Sequence, residues 1–284
     1  MSNTNSNPLK QFYRVERSSV KLPSRGKFSS NNVIDINDDG EVAVYPMTAA
    51  DEMQLRNPDA LLTGAAISDV LKSCVPSLKE PKKLLSCDID ALMIGVRHAS
   101  YGDDASMTTK CPKCGEENEY ALNLEIMLNS TEVLEDEYEV VLHGGDVTVF
   151  VKPGTFSSLM KRQRSAFEGA QVQKILLDPD LDEERRIKAF AQTFKKLSKV
   201  TFELIVDAVH KIVFTDENGE VQEVTNKQYI DEFIQNISKG EVDKIEKKMT
   251  EVNSIGIQKT MDVVCLKCEH KWETPIEFNP VNFS

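Results

Sequence analysis

Two cysteine pairs decide how this sequence of 284 residues is interpreted: Cys111-Pro112-Lys113-Cys114 and Cys265-Leu266-Lys267-Cys268. Each CxxC pair places two thiols on one tight turn, where both sulfurs can face the same point. Two such turns supply the four thiolates that a tetrahedral zinc ion binds. The spacing within the pairs therefore predicts a structural site for one Zn²⁺ per chain, with Cys111, Cys114, Cys265 and Cys268 as its ligands.

The two pairs are far apart in the sequence, because the 150 residues 115–264 separate them. Zinc-binding pairs are more often about 15–20 residues apart. The entropy of loop closure grows only logarithmically, so the longer loop costs roughly 2 kcal/mol more. Zinc binding at structural sites is worth on the order of 10–16 kcal/mol. We therefore expect the strands that flank the pairs to form a zinc ribbon at the base of an inserted block.

Other interpretations of the cysteines stay open at this point. A rubredoxin-like iron site, two unrelated reduced pairs or redox-active dithiols would also use CxxC spacing. A catalytic zinc needs an open coordination position, which four thiolates would close. His270 follows the second pair closely, but the matched pairs favour a surface histidine. Cys74 and Cys87 are unpaired, and we expect both to be buried reduced thiols.

Composition excludes several classes of function. The chain has 34 Lys and Arg against 46 Asp and Glu, a net charge of −12 that disfavours nucleic acid and anionic membranes as partners. No apolar stretch approaches the roughly 20 residues of a spanning helix, and residues 1–8 lack the pattern of a signal peptide, so we expect maturation in a cytosol. No nucleotide-binding, hydrolase or metalloprotease motif occurs, which argues against an enzyme.

The hydrophobic pattern predicts an α+β fold. Apolar and polar residues alternate over 33–45 and 138–151 and around the turn at 216–219, which is typical of hairpins. Helical spacing follows residue 48, continues to residue 101, and returns in segments that begin near 156, 187, 202, 226 and 242. The expected regions are an extended arm at 1–32, a hairpin plus helices at 33–105, a zinc ribbon from 106–126 with 258–280, and a mainly helical insertion with short hairpins at 127–257.

The N-terminal arm contains one segment with two open interpretations: Leu22-Pro23-Ser24-Arg25-Gly26. Proline favours an extended backbone before it, and glycine permits a sharp turn after it. The segment is either a simple bend or a partner-binding element that places Leu22 in a pocket of a neighbouring subunit and pairs Arg25 with acidic residues there.

The order of four segments resembles one known family. These segments are Lys-Leu-Pro-Ser-Arg-Gly at 21–26, Val-Ala-Val-Tyr-Pro-Met-Thr-Ala-Ala-Asp-Glu at 42–52, Val-Arg-His-Ala-Ser-Tyr-Gly at 96–102 and Cys-Pro-Lys-Cys-Gly at 111–115. Together they are similar to the baseplate hub assembly proteins of T-even-type contractile-tailed bacteriophages.

The resemblance implies a non-enzymatic protein that binds other baseplate or hub subunits and copies of itself. It would act in the host cytoplasm during assembly, with the tail baseplate of the virion as its alternative final location. The resemblance implies no catalytic residue and no small-molecule substrate.

The alternative function is that of a nucleic-acid-binding zinc-ribbon protein. Such a protein should concentrate basic residues on the ribbon. Residues 106–126 and 258–278 contain five Lys and no Arg against eight Asp and Glu. Charge therefore favours the structural or assembly function over nucleic-acid binding.

Overall fold

The computed structural model describes residues 7–30, 32–176 and 183–276, and these residues form the α+β structure that the sequence predicts. The N-terminal region contains two paired strands and four helices. In chain order they are β1 (Ser18–Lys21), β2 (Glu41–Val44), α1 (Ala49–Leu55), α2 (Pro58–Leu62), α3 (Ala65–Cys74) and α4 (Ser86–Tyr101).

Local sequence signals explain where the first helices begin. The Thr48 hydroxyl accepts the backbone N–H of Asp51, and the Asp51 carboxylate accepts the backbone N–H of Thr48, which forms a capping box at the start of α1. Asn57 caps α2 and is followed by Pro58 at the first helical position. Further along, α3 and α4 bury the apolar faces that their helical spacing predicts.

The hairpin predicted at 33–45 is wrong. Strand β2 pairs antiparallel with β1, and Ile34 instead forms an isolated bridge with Leu78. A turn does lie at 37–40, where Gly40 donates its N–H to the carbonyl of Asn37. Alternating polarity thus identified the strand but not its partner, which comes from the segment predicted to be an extended arm.

Two separate hairpins hold the cysteine pairs. The first consists of β3 (Asp104–Lys110) and β4 (Glu117–Asn123), and the second consists of β9 (Thr260–Val264) and β10 (Lys271–Pro275). A short helix, α5 (Leu124–Asn129), follows the first hairpin. Both cysteine turns therefore lie at the closed ends of antiparallel strand pairs.

The block between the cysteine hairpins contains a four-stranded antiparallel sheet as well as helices. The sheet order is β5 (Tyr138–Leu142), β6 (Val147–Val151), β7 (Val209–Thr215) and β8 (Val221–Val224). The helices are α6 (Phe156–Leu176), α7 (Glu183–Ala208), α8 (Lys227–Asn236) and α9 (Lys239–Ser254). The hairpins predicted at 138–151 and around 216–219 are confirmed and join into this one sheet.

Helix α7 corrects a second expectation. The separate helices predicted near 187–197 and 202–213 are one continuous helix that ends at Ala208, and the chain then enters β7 at Val209. The helical spacing of apolar residues continued across this boundary, but Val209, Ile212 and Val213 are β-branched residues that suit a strand.

Two hydrophobic clusters form the core. One joins β1, β2, α3 and α4, and the other joins the four-stranded sheet to α7, α8 and α9. Helix α4 contributes to both, because Leu92 belongs to the first cluster and Cys87 to the second. None of the described helices combines the length and apolar composition that crossing a bilayer requires.

Candidate metal centre

The four paired cysteines meet between the two cysteine hairpins. Their Sγ atoms all lie within 4.8 Å of one another, although residues 115–264 separate the pairs in sequence. The Sγ atoms of Cys111 and Cys268 are 3.7 Å apart, and those of Cys114 and Cys265 are 3.6 Å apart. The prediction that two distant CxxC pairs come together is confirmed.

The sulfur separations fit a metal centre better than disulfides. With Zn–S bonds near 2.3 Å, a tetrahedral site has sulfurs about 3.8 Å apart. A disulfide would bring two sulfurs to about 2.05 Å. All four cysteines are free thiols, with Cys111 and Cys265 buried, Cys268 half-buried and Cys114 exposed. The four cysteines therefore fit the tetrahedral coordination of one metal ion by four thiolates.

Both turns have the same backbone hydrogen bonds. The N–H of the first cysteine donates to the carbonyl five residues later, and the N–H of the residue four positions on donates back to the carbonyl of that cysteine. The pairs are Cys111 to Glu116 (2.8 Å), Gly115 to Cys111 (2.9 Å), Cys265 to His270 (2.9 Å) and Glu269 to Cys265 (3.0 Å). The two turns are therefore equivalent halves of one site.

The residue after each cysteine pair has a left-handed backbone. Gly115 has φ of 73°, and Glu269 has φ of 56° at the equivalent position. Glycine adopts this conformation without steric cost, whereas a residue with a side chain pays about 1–2 kcal/mol. The second turn therefore stores backbone strain that the first turn avoids.

Asn118 connects the two halves and was not predicted from the sequence. Its side chain is almost fully buried, its Oδ1 accepts the N–H of Leu266 at 2.9 Å, and its Nδ2 lies 3.7 Å from the Sγ of Cys265. An amide that donates to a ligand sulfur and fixes the opposite turn is typical of the residues that support metal ligands. A polar residue in a hairpin strand gives no sequence signal for this role.

Further contacts join the hairpins around the sulfurs. Thr109 and Thr274 share a hydroxyl hydrogen bond of 3.3 Å, and the Tyr120 hydroxyl donates to the carbonyl of Val264 at 3.0 Å. The Lys267 ammonium also pairs with the Glu116 carboxylate at 2.6 Å. These bonds hold the two turns in register without a continuous sheet.

Hydrogen bonds favour the thiolate form at one ligand. Burial raises the pKa of Cys265, but the N–H groups of Cys268 and Lys267 and the thiol of Cys114 donate to its sulfur and lower the pKa to about 6. At Cys114 the N–H of Glu116 lowers the pKa, but desolvation and the neighbouring thiols raise it to about 12. A bound metal ion would favour deprotonation of all four thiols.

The remaining cysteines and His270 lie outside the cluster. The His270 ring stacks on Trp272 with 6.1 Å between ring centroids, as a histidine outside the ligand set can. Cys74 and Cys87 are buried free thiols, as predicted, and burial raises the pKa of Cys74 to about 11. Within the described part of the chain, the four paired cysteines are the one group of three or more His, Cys, Asp or Glu residues arranged to hold a metal.

The segment from Leu22 to Gly26 lies against the chain's own core. Leu22 is fully buried in the first hydrophobic cluster, so the expectation that it fills a pocket of a neighbouring subunit is corrected. Ser24 is also fully buried, and its N–H donates to Asp88 Oδ1 at 3.0 Å. The carbonyl of Pro23 accepts the N–H of Leu134. Of the five residues in this segment, Arg25 is exposed and Gly26 is half-buried.

The fold and the site define a class: an α+β protein whose two distant strand hairpins are brought together by a four-cysteine cluster. A family model described as T4 bacteriophage base plate protein matches residues 16–283, nearly the whole chain. The chain belongs to this family, which confirms the resemblance drawn from the sequence and indicates a structural protein of the phage baseplate. Searches of curated proteins and of solved structures gave no match.

Proposed function

We propose that this chain builds the baseplate hub by binding other baseplate subunits. One structural Zn²⁺ at Cys111, Cys114, Cys265 and Cys268 would cross-link the two hairpins into a zinc ribbon, and this ribbon would be the docking surface. The observation that carries this proposal is the meeting of four cysteine sulfurs within 4.8 Å in a chain of the baseplate family.

The ligand set supports a structural role for the metal. Catalytic zinc sites keep an open position for water or substrate, whereas four thiolates fill a tetrahedral shell. When bound, zinc would cross-link the two turns and neutralise much of the charge of four thiolates. This chemistry supports a non-enzymatic protein.

Packing supports the idea that the metal organises the ribbon. Val263 is buried beside Cys265 on the second hairpin, and Leu122 is buried on the first, but neither residue belongs to the two hydrophobic clusters of the protein. Two-stranded hairpins that lie outside the main hydrophobic clusters are marginal in water. Metal binding can supply the missing free energy and preorganise a surface for recognition.

Leu266 is the best candidate for a contact residue on this surface. It lies between Cys265 and Cys268 on the second turn and is 82% exposed, and its backbone N–H donates to the side-chain oxygen of Asn118. The neighbouring Val264 is 42% exposed. A rigid turn that presents a large apolar side chain to water suits insertion into a pocket of a partner protein. The acidic composition of the ribbon supports a protein partner over nucleic acid.

Metal content tests the ribbon. Elemental analysis of the purified chain should find about one zinc per chain, as expected for one four-thiolate site. A visible absorption spectrum with iron in place of zinc would identify a rubredoxin-like centre instead. Folded protein without either metal would overturn the proposed metal site.

A substitution at Leu266 tests the docking surface. In co-purification with co-expressed baseplate hub proteins, Leu266→Glu should weaken binding by about tenfold or more while the zinc content stays unchanged. Met53→Glu is the matched control, since Met53 is 73% exposed on α1, away from the ribbon. Equal binding by the Leu266→Glu variant and the unmodified chain would show that hub proteins dock elsewhere.

A further inference from the structure

A cavity of about 590 Å³ lies where three parts of the chain meet. Its walls come from α4, from α6 and from the segment 257–259 that leads into the second cysteine hairpin. Protein interiors leave few voids larger than a water molecule, whereas ligand pockets usually measure about 300–1,000 Å³. This cavity, which we call the α4–α6 cavity, is therefore large enough to be a binding site.

The α4–α6 cavity has an apolar interior. Four of the side chains that line it are at most 3% exposed and belong to the first hydrophobic cluster: Ile89, Ile94, Phe156 and Ile257. Because the same side chains pack into the cluster, they form walls of fixed shape. The interior therefore suits the hydrocarbon part of a small molecule.

One end of the α4–α6 cavity is polar. The helices α4 and α6 begin side by side there, since the N–H of Ser86 donates to the carbonyl of Gly154 at 2.8 Å. Ser86 lines the cavity and is only 8% exposed, and its hydroxyl forms no hydrogen bond to any residue that the structure describes. A buried hydroxyl without a partner is unfavourable. Ser86 can therefore donate to, or accept from, a polar group of a ligand.

The other end of the α4–α6 cavity holds a cation. Arg162 lines the cavity, is exposed, and has no ion-pair partner within residues 7–30, 32–176 and 183–276. It lies six residues after Phe156, at the start of α6, so the helix rise places it about 9 Å along α6 from the end that holds Ser86. The other charged residues of the lining, Asp90 and Lys259, pair with each other at 2.7 Å. The lining thus has one unpaired positive charge in a chain of net charge −12.

We infer that the α4–α6 cavity binds an elongated apolar molecule with a carboxylate at one end and a hydroxyl or carbonyl group at the other. The carboxylate pairs with Arg162, the hydrocarbon chain lies against the apolar walls, and the far polar group hydrogen-bonds to the Ser86 hydroxyl. An ω-hydroxy fatty acid of medium chain length has this chemistry. The unpaired cation selects an anionic over a cationic end group.

A molecule in the α4–α6 cavity contacts three regions of the chain at once. It touches α4 of the N-terminal region, α6 of the inserted block, and Pro275 and Ile276 at the end of the second cysteine hairpin. A ligand that binds the folded chain alone stabilises it, so these regions are held together more firmly when the ligand is bound. The inference is independent of the proposed metal site, because none of the four paired cysteines lines the cavity.

Titration with three matched compounds, followed by ligand-observed nuclear magnetic resonance, tests the inference. The compounds are ω-hydroxydecanoate, decanoate and decanediol, which share one chain length and differ in their end groups. We expect ω-hydroxydecanoate to bind most tightly, and about 2–10-fold more tightly than decanoate, because its hydroxyl adds one hydrogen bond. Absence of binding by all three at millimolar concentration would overturn the inference, and so would equal affinity for the two acids.

A substitution at Ser86 locates the polar end of the ligand. Ser86→Ala should remove the advantage of ω-hydroxydecanoate over decanoate and leave the affinity for decanoate unchanged. The thermal unfolding midpoint should not fall, since the hydroxyl has no partner in the described fold. Ser68→Ala is the matched control, because Ser68 is 7% exposed on α3 but does not line the cavity. An advantage that persists in Ser86→Ala, or that disappears in Ser68→Ala, would contradict the contact.

A substitution at Arg162 locates the carboxylate. Arg162→Gln should weaken binding of both acids about 3–10-fold, as loss of an exposed charged hydrogen bond does, and should leave binding of decanediol unchanged. Arg164→Gln is the matched control, since Arg164 is also exposed on α6 but pairs with Glu168 and does not line the cavity. Equal weakening by both variants, or equal weakening for the acids and decanediol, would exclude the proposed pairing with Arg162.

Discussion

Asn118 shows how one side chain can control the candidate metal centre. It comes from the first hairpin, but both of its longer-range hydrogen bonds reach the second hairpin, at Leu266 N–H and at the sulfur of Cys265. It thereby contacts the sulfur of Cys265, a candidate metal ligand, and fixes the turn on which Cys265 lies. Residues that support metal ligands in this way typically contribute 10–100-fold to metal affinity.

We expect Asn118→Ala to lower zinc affinity by about 10–100-fold. The substitution removes the donor to the Cys265 sulfur and leaves the N–H of Leu266 without its partner. Competition with a chromophoric chelator measures the effect. Tyr120→Phe is the control, because it removes another bond between the hairpins but no contact to sulfur. A zinc affinity equal in both variants would show that Asn118 only positions the backbone.

Asp88 is the second residue whose environment has a measurable consequence. Its carboxyl group is fully buried, one oxygen accepts the N–H of Ser24, and the other oxygen has no hydrogen-bond partner within the described structure. Burial raises its pKa to about 6, although the hydrogen bonds from Ser24 oppose this shift. The folded chain therefore holds this proton more tightly than the unfolded chain does.

The raised pKa predicts that the contribution of Asp88 to stability falls as pH rises from about 4 to about 6. Between about pH 4 and pH 6, the folded state binds the Asp88 proton and the unfolded state has released it, so the stabilisation is full at the lower pH and is lost above about pH 6. Asp88→Asn removes this titration. Chemical unfolding should show the free energy of unfolding of the variant improving relative to wild type by up to about 3 kcal/mol between pH 4 and pH 7. A pH-independent difference would contradict the raised pKa.

At the scale of elements, the packing of α4 against β1 depends on Gly95. A Cβ added at this position would lie 2.2 Å from Cγ2 of Val20, far inside contact distance. Glycine normally weakens a helix by about 1 kcal/mol relative to alanine. Here the absence of a side chain lets helix and strand approach closely, so helix propensity and packing have opposite effects.

We expect packing to dominate at Gly95. Gly95→Ala should destabilise the chain by about 1–3 kcal/mol, because overpacking a buried contact exceeds the gain in helix propensity. Gly240→Ala in α9 is the matched control, since no atom lies within 4 Å of the added Cβ, and it should leave stability unchanged or raise it. Denaturant unfolding measures both variants, and a stabilised Gly95→Ala variant would contradict the close approach.

Elements differ in how well the sequence predicts them. The capping residues of α1 and α2 act on neighbouring backbone groups, so local sequence determines both helix starts. Which strands pair with each other depends on the tertiary structure of the whole chain. The alternation over 33–45 was compatible with a hairpin, but β2 pairs with β1 from the other side of a long loop. The boundary between α7 and β7 was missed for a similar reason, because apolar residues at helical spacing also fit a half-buried strand.

The cysteine cluster was predictable because its chemistry is local to each pair. Two thiols on one turn predict a pair of ligands for one ion, and two such turns predict that both pairs meet, whatever separates them in sequence. Asn118 was not predictable, since its burial depends on contact with the second hairpin. The environment of Leu22 could not be decided from the sequence, because an apolar residue in a polar arm fits either a partner's pocket or the chain's own core, and only the tertiary structure distinguishes them.

At the scale of the whole molecule, the two hydrophobic clusters and the four-cysteine cluster lie in different parts of the described chain. The cluster around α4 and the cluster around the four-stranded sheet bury most of the large apolar residues. The two cysteine hairpins lie at the ends of the inserted block. They meet at the four sulfurs, at a few hydrogen bonds and at the edge-to-face packing of Tyr120 on Trp272. Loss of the metal should therefore act on one part of the structure rather than on all of it.

Metal removal should unfold the ribbon and leave the two hydrophobic clusters folded. After treatment with a strong chelator, amide hydrogen exchange should rise within residues 104–123 and 260–275 and stay slow within α4, because the buried residues of the ribbon hairpins lie outside both hydrophobic clusters. Cys265→Ser should give the same pattern without chelator. Cys74→Ser is the control, since Cys74 is buried in the first cluster, away from the site. Unchanged protection of both hairpins would mean that the other contacts between them suffice, whereas loss of protection throughout α4 would mean that the metal also stabilises the hydrophobic clusters to which α4 contributes.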